Sequence, residues 1–175
     1  MLITGRINGI LITVVLAVSP LQLFATGNTN AIETRLRVLE DRESIRTLLV
    51  EYGRTLDARD FKGFSELFAR GVGEWNGGMG VARGPEAIRK LMEQTIGNNT
   101  GTANSSNFHI FSNEMINVNG DRATALSKWA FVVQGNDGRP QWVYLGHYND
   151  ILIREDGRWK FLQRKVTSDI PGEKP

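Results

Sequence analysis

The sequence predicts an α+β domain in which three N-terminal helices cover one face of a curved four-stranded antiparallel sheet and enclose a cavity. Apolar residues at helical spacing dominate the first half of the chain, whereas four long strand-like segments joined by Asn-Gly or Asp-Gly turns occupy the second half. Helices followed by consecutive strands are typical of domains with helices on one side of an antiparallel sheet. A length of 175 residues fits one such domain.

Three helices are predicted before the strands. The first extends from Ile32 to about Leu56, and the second from Phe61 to Ala69, with Asp60 as its N-cap. The third begins at Gly84-Pro85-Glu86, because proline is favoured at the first position of a helix. The apolar residues of the first helix recur every three or four positions, at Leu36, Leu39, Ile45, Leu48, Leu49, Tyr52 and Leu56.

The four strands are predicted in hairpin order. Their segments are Phe108–Val118, Ala123–Val133, Trp142–Ile153 and Trp159–Val166. The dipeptides Asn119-Gly120, Asp137-Gly138 and Asp156-Gly157 supply the three hairpin turns. The stretch from Gly97 to Asn107 is rich in Asn, Gly, Ser and Thr, so it predicts a loop, and this loop is a candidate lid over a site.

Residues 1–27 have the layout of a secretory signal peptide, which leaves residues 28–175 as the domain. A single charge at Arg6 precedes a mainly apolar run over Ile7–Val18, a break at Ser19-Pro20 and the small residues Ala25-Thr26-Gly27. The run is shorter than the roughly 20 apolar residues that cross a bilayer. We therefore expect an exported protein, periplasmic or secreted, that no longer contacts the membrane once the signal is removed. The alternative is an uncleaved anchor.

Composition excludes several classes of site. The chain has no cysteine, which excludes disulfides, thiolate zinc sites and cysteine nucleophiles. Without Arg6, 20 Lys and Arg face 19 Asp and Glu, and this near balance argues against binding of nucleic acid. No His-x-x-His spacing and no phosphate-binding glycine loop with its lysine occurs, so we expect neither a metal nor a cofactor.

Short motifs follow one another in a fixed order along the domain. They are Tyr52-Gly53-Arg54-Thr55-Leu56-Asp57-Ala58-Arg59-Asp60, Leu67-Phe68, Gly84-Pro85-Glu86-Ala87-Ile88, His109 with Asn113, Asn119-Gly120-Asp121-Arg122-Ala123, Gly146-His147-Tyr148-Asn149-Asp150, and Asp156-Gly157-Arg158-Trp159-Lys160-Phe161 followed by Arg164. In residue types and order these motifs resemble the SnoaL-like branch of the NTF2-like superfamily, over about residues 33–166. The resemblance implies the NTF2-like cone with its cavity, and association of copies through the exposed face of the sheet.

The resemblance also implies a pair of catalytic residues. The family's enzymes scytalone dehydratase and lindane dehydrochlorinase pair an aspartate at a helix end with a histidine on the first long strand, and the matching residues are Asp57 and His109. An imidazole titrates near neutral pH and can take a proton from carbon, while a carboxylate fixes its tautomer. The alternatives are a turn-forming role for Asp57 and a buried, hydrogen-bonded role for His109.

Five further residues are candidates for substrate binding, namely Tyr52, Trp75, Trp129, Phe131 and His147. For the four residues other than His147, packing in the core is the alternative. His147 alternates with Tyr148 along its strand, so only one of the two can enter the cavity. Tyr52 stands where the dehydrochlorinase has a lysine, which argues against halide elimination.

These observations predict a cofactor-free lyase or isomerase of the dehydratase type. It would act on a small, mostly apolar, cyclic substrate by Asp57- and His109-assisted proton abstraction in the cavity. The alternative is a non-catalytic module that binds a small hydrophobic molecule or serves in oligomerisation. A homodimer or homotrimer is expected, because the strands carry more aromatic residues than one covered face requires.

Overall fold

The computed structural model describes residues 2–7, 10–15, 20–97 and 107–172, with side chains from residue 29 onward. The chain forms two compact units, residues 1–39 and 40–175. Most of the predicted lid, residues 98–106, lies outside the described residues. The predicted signal peptide, residues 1–27, falls within the first unit and stays a prediction.

The N-terminal unit contains a hairpin and the start of a long helix. Strands β1 (Leu2–Ile7) and β2 (Ile10–Val15) pair antiparallel in a two-stranded sheet of their own. Helix α1 (Pro20–Asp57) begins earlier than the predicted Ile32. Within the described residues, no helix is long and apolar enough to cross a membrane.

The second unit contains the end of α1 and all remaining elements. Helix α2 covers Phe61–Ser65, with Asp60 as the predicted N-cap accepting a hydrogen bond from the Gly63 amide at 2.9 Å. Helix α3 covers Pro85–Thr95 and starts at the predicted proline. The strands are β3 (Glu74–Gly77), β4 (Gly80–Arg83), β5 (Asn107–Asn119), β6 (Arg122–Gln134), β7 (Pro140–Glu155) and β8 (Arg158–Ile170).

The sheet is mixed and six-stranded, in the order β4-β3-β8-β7-β6-β5. The prediction of a four-stranded antiparallel sheet is therefore wrong in strand number and direction, although all four predicted strands are present. The two added strands are four residues each, too short to show an alternating pattern. Strand β3 pairs parallel to β8, with Trp75 opposite Arg164, and β4 extends the edge.

A β-bulge divides β5 and controls which of its residues face the helices. The pairing with β6 shifts by one residue between Ser112 and Met115, and Asn113 has a positive φ of 56°. Before the bulge the odd-numbered His109 and Phe111 face inward, whereas after it the even-numbered Ile116 and Val118 do so. Both halves of the strand therefore present apolar side chains to the core.

The second half of α1 packs on the inner face of the sheet. Ile45, Leu48, Leu49, Tyr52 and Leu56 are buried as predicted, but Leu36 and Leu39, which lie in the first unit, are exposed. Gly53 allows a close approach between helix and sheet, because a Cβ atom there would lie 2.6 Å from the Phe111 ring and 3.4 Å from Cβ of His109. The same contact brings the end of α1 to the start of β5.

Candidate active site

The end of α1 and the start of β5 join Asp57 and His109. The imidazole Nδ1 lies 2.6 Å from Oδ1 of Asp57, and the backbone amide of His109 donates to Oδ2 at 3.0 Å. The side-chain amide of Asn107 donates to Oδ1, also at 3.0 Å. An ionised carboxylate only accepts hydrogen bonds, so Nδ1 carries the proton and Nε2 is the basic nitrogen.

This geometry confirms the predicted contact between Asp57 and His109. The carboxylate is directed at the sheet, while the turn after α1 is closed by backbone hydrogen bonds such as Asp60 N–H to Thr55 O at 2.9 Å. A turn-forming role for the Asp57 side chain is therefore not what the structure shows. The side chains of His109 and Asp57 are 12% and 24% exposed, so both are largely withdrawn from water yet still reachable.

Two aromatic rings of β6 lie beside the imidazole, and rings of β5 and β7 pack next to them. The Phe131 ring lies 4.7 Å from that of His109 between centroids, and the Trp129 ring lies at 6.5 Å. Tyr148 stacks between Trp129 and Phe111, with centroid distances of 5.6 and 5.5 Å. The predicted pair Trp129 and Phe131 therefore lies beside His109. Phe111 was not predicted, although its position two residues after His109 places it on the same face.

Tyr52 and Trp75 form a buried contact behind these rings. The Trp75 indole donates to the Tyr52 hydroxyl at 2.9 Å, and both residues are only 2% exposed. Burial raises the pKa of Tyr52, so the phenol stays protonated at neutral pH. The Tyr52 ring packs against Phe64, Tyr148 and Phe161, which matches the alternative of core packing.

A buried ion pair lies beneath the same rings. Arg164 is 0% exposed and makes two hydrogen bonds to Asp150, at 2.8 and 2.7 Å. Its guanidinium carbon lies 4.0 to 4.2 Å from the ring centroids of Tyr52, Tyr148 and Phe161. Burial acts to lower the pKa of Arg164, but the charge and hydrogen bonds of Asp150 outweigh it and the pKa is raised. The rings are thus fixed around a permanent cation.

The structure does not bring His147 to this site, contrary to the prediction that it binds substrate there. Its Nδ1 lies 3.0 Å from both oxygens of Asp169, and Lys128 completes a polar cluster on the outer face of the sheet. Tyr148, the next residue along β7, faces inward and is 2% exposed. Alternation along the strand therefore places the tyrosine, not the histidine, on the inner face, where it stacks on Trp129 and Phe111.

Closely packed rings fill the space around the buried Arg164. Three grooves formed by described residues have volumes of about 550, 340 and 410 Å³, and their linings do not include Asp57 or His109. The two smaller grooves lie on the outer face, along Phe108, Ile110 and Trp142. Among the described side chains, no group of three His, Cys, Asp or Glu residues converges as a metal site would require.

Comparison with known proteins agrees with this architecture. The family model of the SnoaL-like domain matches residues 37–165. No curated protein matches the chain. An NTF2-like protein with a cystatin-like fold from Novosphingobium aromaticivorans is 27% identical, with a TM-score of 0.68, over 77% of this chain and 86% of that one.

Two further solved structures share the fold. A candidate scytalone dehydratase from Novosphingobium aromaticivorans is 24% identical, with a TM-score of 0.57, over 81% of this chain and 87% of its own. ActVI-ORFA from Streptomyces coelicolor is 22% identical, with a TM-score of 0.62, over 74% and 98%. At these identities the similarity shows the fold alone.

Proposed function

Because the chain belongs to the SnoaL-like domain family of the NTF2-like superfamily, we propose that it is a cofactor-free lyase or isomerase with His109 as its base. The observation that carries the proposal is the 2.6 Å contact between Nδ1 of His109 and Asp57. That contact leaves Nε2 as the basic atom of an imidazole whose ring lies 4.7 Å from that of Phe131 and 6.5 Å from that of Trp129, between centroids. Such an environment suits a small, mostly apolar, cyclic substrate.

The proposed reaction begins with removal of a proton from carbon. Nε2 of His109 takes the proton, the C–H electron pair moves into the substrate, and Asp57 stabilises the imidazolium that forms. In a lyase the imidazolium then protonates a departing hydroxyl, which leaves as water. In an isomerase it returns the proton to another carbon. In either case the base is regenerated without a further reactant.

Hydrogen exchange into a simple carbon acid tests the proposal. The probe is 2-tetralone in D₂O, and the measured quantity is the loss of its α-proton signals by NMR. His109→Gln and Asp57→Asn should each slow the enzyme-dependent exchange, by about 10²-fold or more for the histidine. His147→Gln is the matched control, since it removes the other histidine from the outer face. Exchange that is no faster than in buffer, or unchanged in His109→Gln, would contradict the proposal.

The outer face of the sheet favours the second proposal, that the domain associates with copies of itself. Phe108, Ile110, Trp142 and Ile170 are 46% to 60% exposed on this face. Large exposed apolar patches mark interaction surfaces. We propose a homodimer or homotrimer through this face. Light scattering should give a multiple of the monomer mass at micromolar concentration. Trp142→Lys should lower the measured mass. A monomeric wild type would contradict the proposal.

Export of the protein is a separate proposal, supported by the signal-like layout of residues 1–27. The mature protein recovered from the periplasm or the medium should begin near residue 28. Mass spectrometry of the purified protein measures this. An intact N-terminus on the purified protein would indicate an uncleaved segment instead.

A further inference from the structure

A row of polar side chains crosses the outer face of the sheet. Directly opposite one another on β5, β6, β7 and β8 lie Ser112, Lys128, His147 and Thr167. Asp169 on β8 joins them, since both of its carboxylate oxygens lie 3.0 Å from Nδ1 of His147 and one lies 3.5 Å from Nζ of Lys128. These five residues form the polar row. It contains a cation and an imidazole that share one anion.

The polar row lies within the apolar part of the outer face rather than at its margin. On one side, the next set of opposite residues is wholly apolar and consists of Ile110, Ala130, Leu145 and Ile170. On the other side, the exposed side chains of Met115 and Leu126 lie opposite each other. A partner that covers the apolar residues on both sides therefore covers the polar row as well.

The charges of the polar row suit a second copy of the chain as this partner. A twofold interface places the same surface on both copies, so a patch that carries both signs can pair each charge with its opposite. Lys128 and Asp169 supply the two signs, and with a neutral His147 the polar row has no net charge. Covering such a patch costs less than covering one that carries an excess charge.

Protonation of His147 changes this balance without breaking its contacts. An ionised carboxylate only accepts hydrogen bonds, so Nδ1 carries a proton in both states of the imidazole and the second proton binds at Nε2. The hydrogen bond from His147, aided by the charge of Lys128, lowers the pKa of Asp169, which therefore stays an anion in mild acid. The added proton gives the polar row a net positive charge, with His147 directly opposite Lys128.

The charged groups around His147 do not offset the added proton. Among the described residues of the outer face, Lys128 on β6 and Asp169 on β8 are the charged groups that oppose or contact it. Lys165 lies one step further along β8 and is a second cation. Glu114, in the bulge of β5, forms no ion pair with any described residue. Acid therefore adds positive charge to a surface that already carries two lysines.

From this arrangement we infer that association of copies through the outer face is switched by the protonation state of His147. Copies associate while the imidazole is neutral and separate when mild acid charges it. The inference rests on the association proposed above, because it names the regulation of that surface. Histidine is the side chain whose ordinary pKa lies between about pH 5 and pH 8, and the chain has two histidines and no cysteine. The other histidine, His109, lies on the inner face beside Asp57.

Sedimentation velocity over a dilution series of the full chain gives the dissociation constant at pH 8 and at pH 5.5. An imidazole with the ordinary pKa of about 6.5 is about ten times more often charged than neutral at the lower pH. If only the neutral form associates, both copies of a dimer must release this proton, so the dissociation constant should rise about 10²-fold. A rise of less than about threefold in a protein that associates would overturn the inference and leave the association standing. A monomer at both pH values would overturn both.

Three variants assign the effect to His147, and circular dichroism at both pH values verifies that each is folded. His147→Gln cannot be charged, so it should associate as tightly at pH 5.5 as at pH 8. His147→Arg places a permanent cation opposite Lys128 and should associate weakly at both pH values. His109→Gln is the matched control, because it removes the other histidine and should keep the pH dependence. Dissociation of His147→Gln in acid, or a pH-independent His109→Gln, would overturn the inference.

Discussion

Substitution of Asp150 by asparagine should destabilise the domain more than any change to a surface ion pair. Arg164 is 0% exposed and Asp150 is 3% exposed, with hydrogen bonds of 2.8 and 2.7 Å between them. Asparagine keeps the shape of the side chain but removes the charge, which leaves a buried cation without an anionic partner. Breaking a buried pair in this way costs about 3–5 kcal/mol.

This loss is large compared with the whole stability of a domain, which is about 5–15 kcal/mol. For a domain of this size each kcal/mol lowers the melting temperature by about 2–4 °C, so Asp150→Asn should lower it by about 6–20 °C. Urea unfolding followed by circular dichroism measures the free energy directly. The surface pair Glu43 and Arg46 provides the control, because both side chains are at least 50% exposed and Glu43→Gln should cost less than about 1 kcal/mol.

A double variant separates the charge from the packing. Asp150→Leu combined with Arg164→Met removes both charges and keeps apolar volume, so it should be more stable than Asp150→Asn alone. The three rings around the guanidinium lose their cation contacts in this variant, which limits the recovery. The reasoning would be refuted if Asp150→Asn cost no more than Glu43→Gln, or if the double variant were the least stable of the set.

Three further predictions concern other parts of the domain. Gly53→Ala should lower both the free energy of unfolding and the rate of proton exchange, because its Cβ would lie 2.6 Å from the Phe111 ring. Urea unfolding and the exchange of 2-tetralone measure these two quantities. A gain in stability would contradict the prediction. Hydrogen bonds from Gln163 and Arg83 lower the pKa of Glu74 below 4.5, so its contribution to stability is present above that pH and is lost as pH falls through the lowered value. Glu74→Gln should therefore lose less stability than wild type between about pH 5 and pH 2. Removal of residues 1–27 should leave a soluble domain with a cooperative thermal transition, and aggregation without a transition would show that the apolar segment is needed.

The parts of the fold that the sequence predicts are those governed by local rules. Hairpin turns at Asn119-Gly120 and Asp156-Gly157 are present, and Gly120, Asp156 and Gly157 have the positive φ angles that such turns need. Strand β3 could not be predicted in the same way, because its partner β8 lies about 90 residues away in sequence and four residues show no periodicity. Parallel pairing with a distant strand is a property of the assembled sheet.

Only part of the candidate site could be predicted, because the rest depends on contacts between residues that are far apart in sequence. The family resemblance predicts Asp57 and His109. Because successive side chains of a strand point to opposite faces, only one of His147 and Tyr148 can face inward. The burial of Arg164 has no local signal, because arginine is rarely buried and Asp150 is recognised as its partner only when β7 and β8 are in register. The contact between His147 and Asp169 is likewise visible only once these two strands are in register.

The bulge in β5 determines how many residues separate His109 from the first hairpin turn. His109 pairs with Phe131, while Asn119 pairs with Arg122, so β5 contains one residue more than β6 between these two points. If β5 kept its length but paired regularly with β6 from the turn onward, position 110 rather than 109 would lie opposite Phe131 and face the core. Deletion of Asn113 or Glu114 would remove the extra residue, so regular pairing would then keep His109 opposite Phe131. In a homologue with a regular first strand, we expect the corresponding histidine one residue closer to the turn, and this spacing can be read directly from the sequences of related chains.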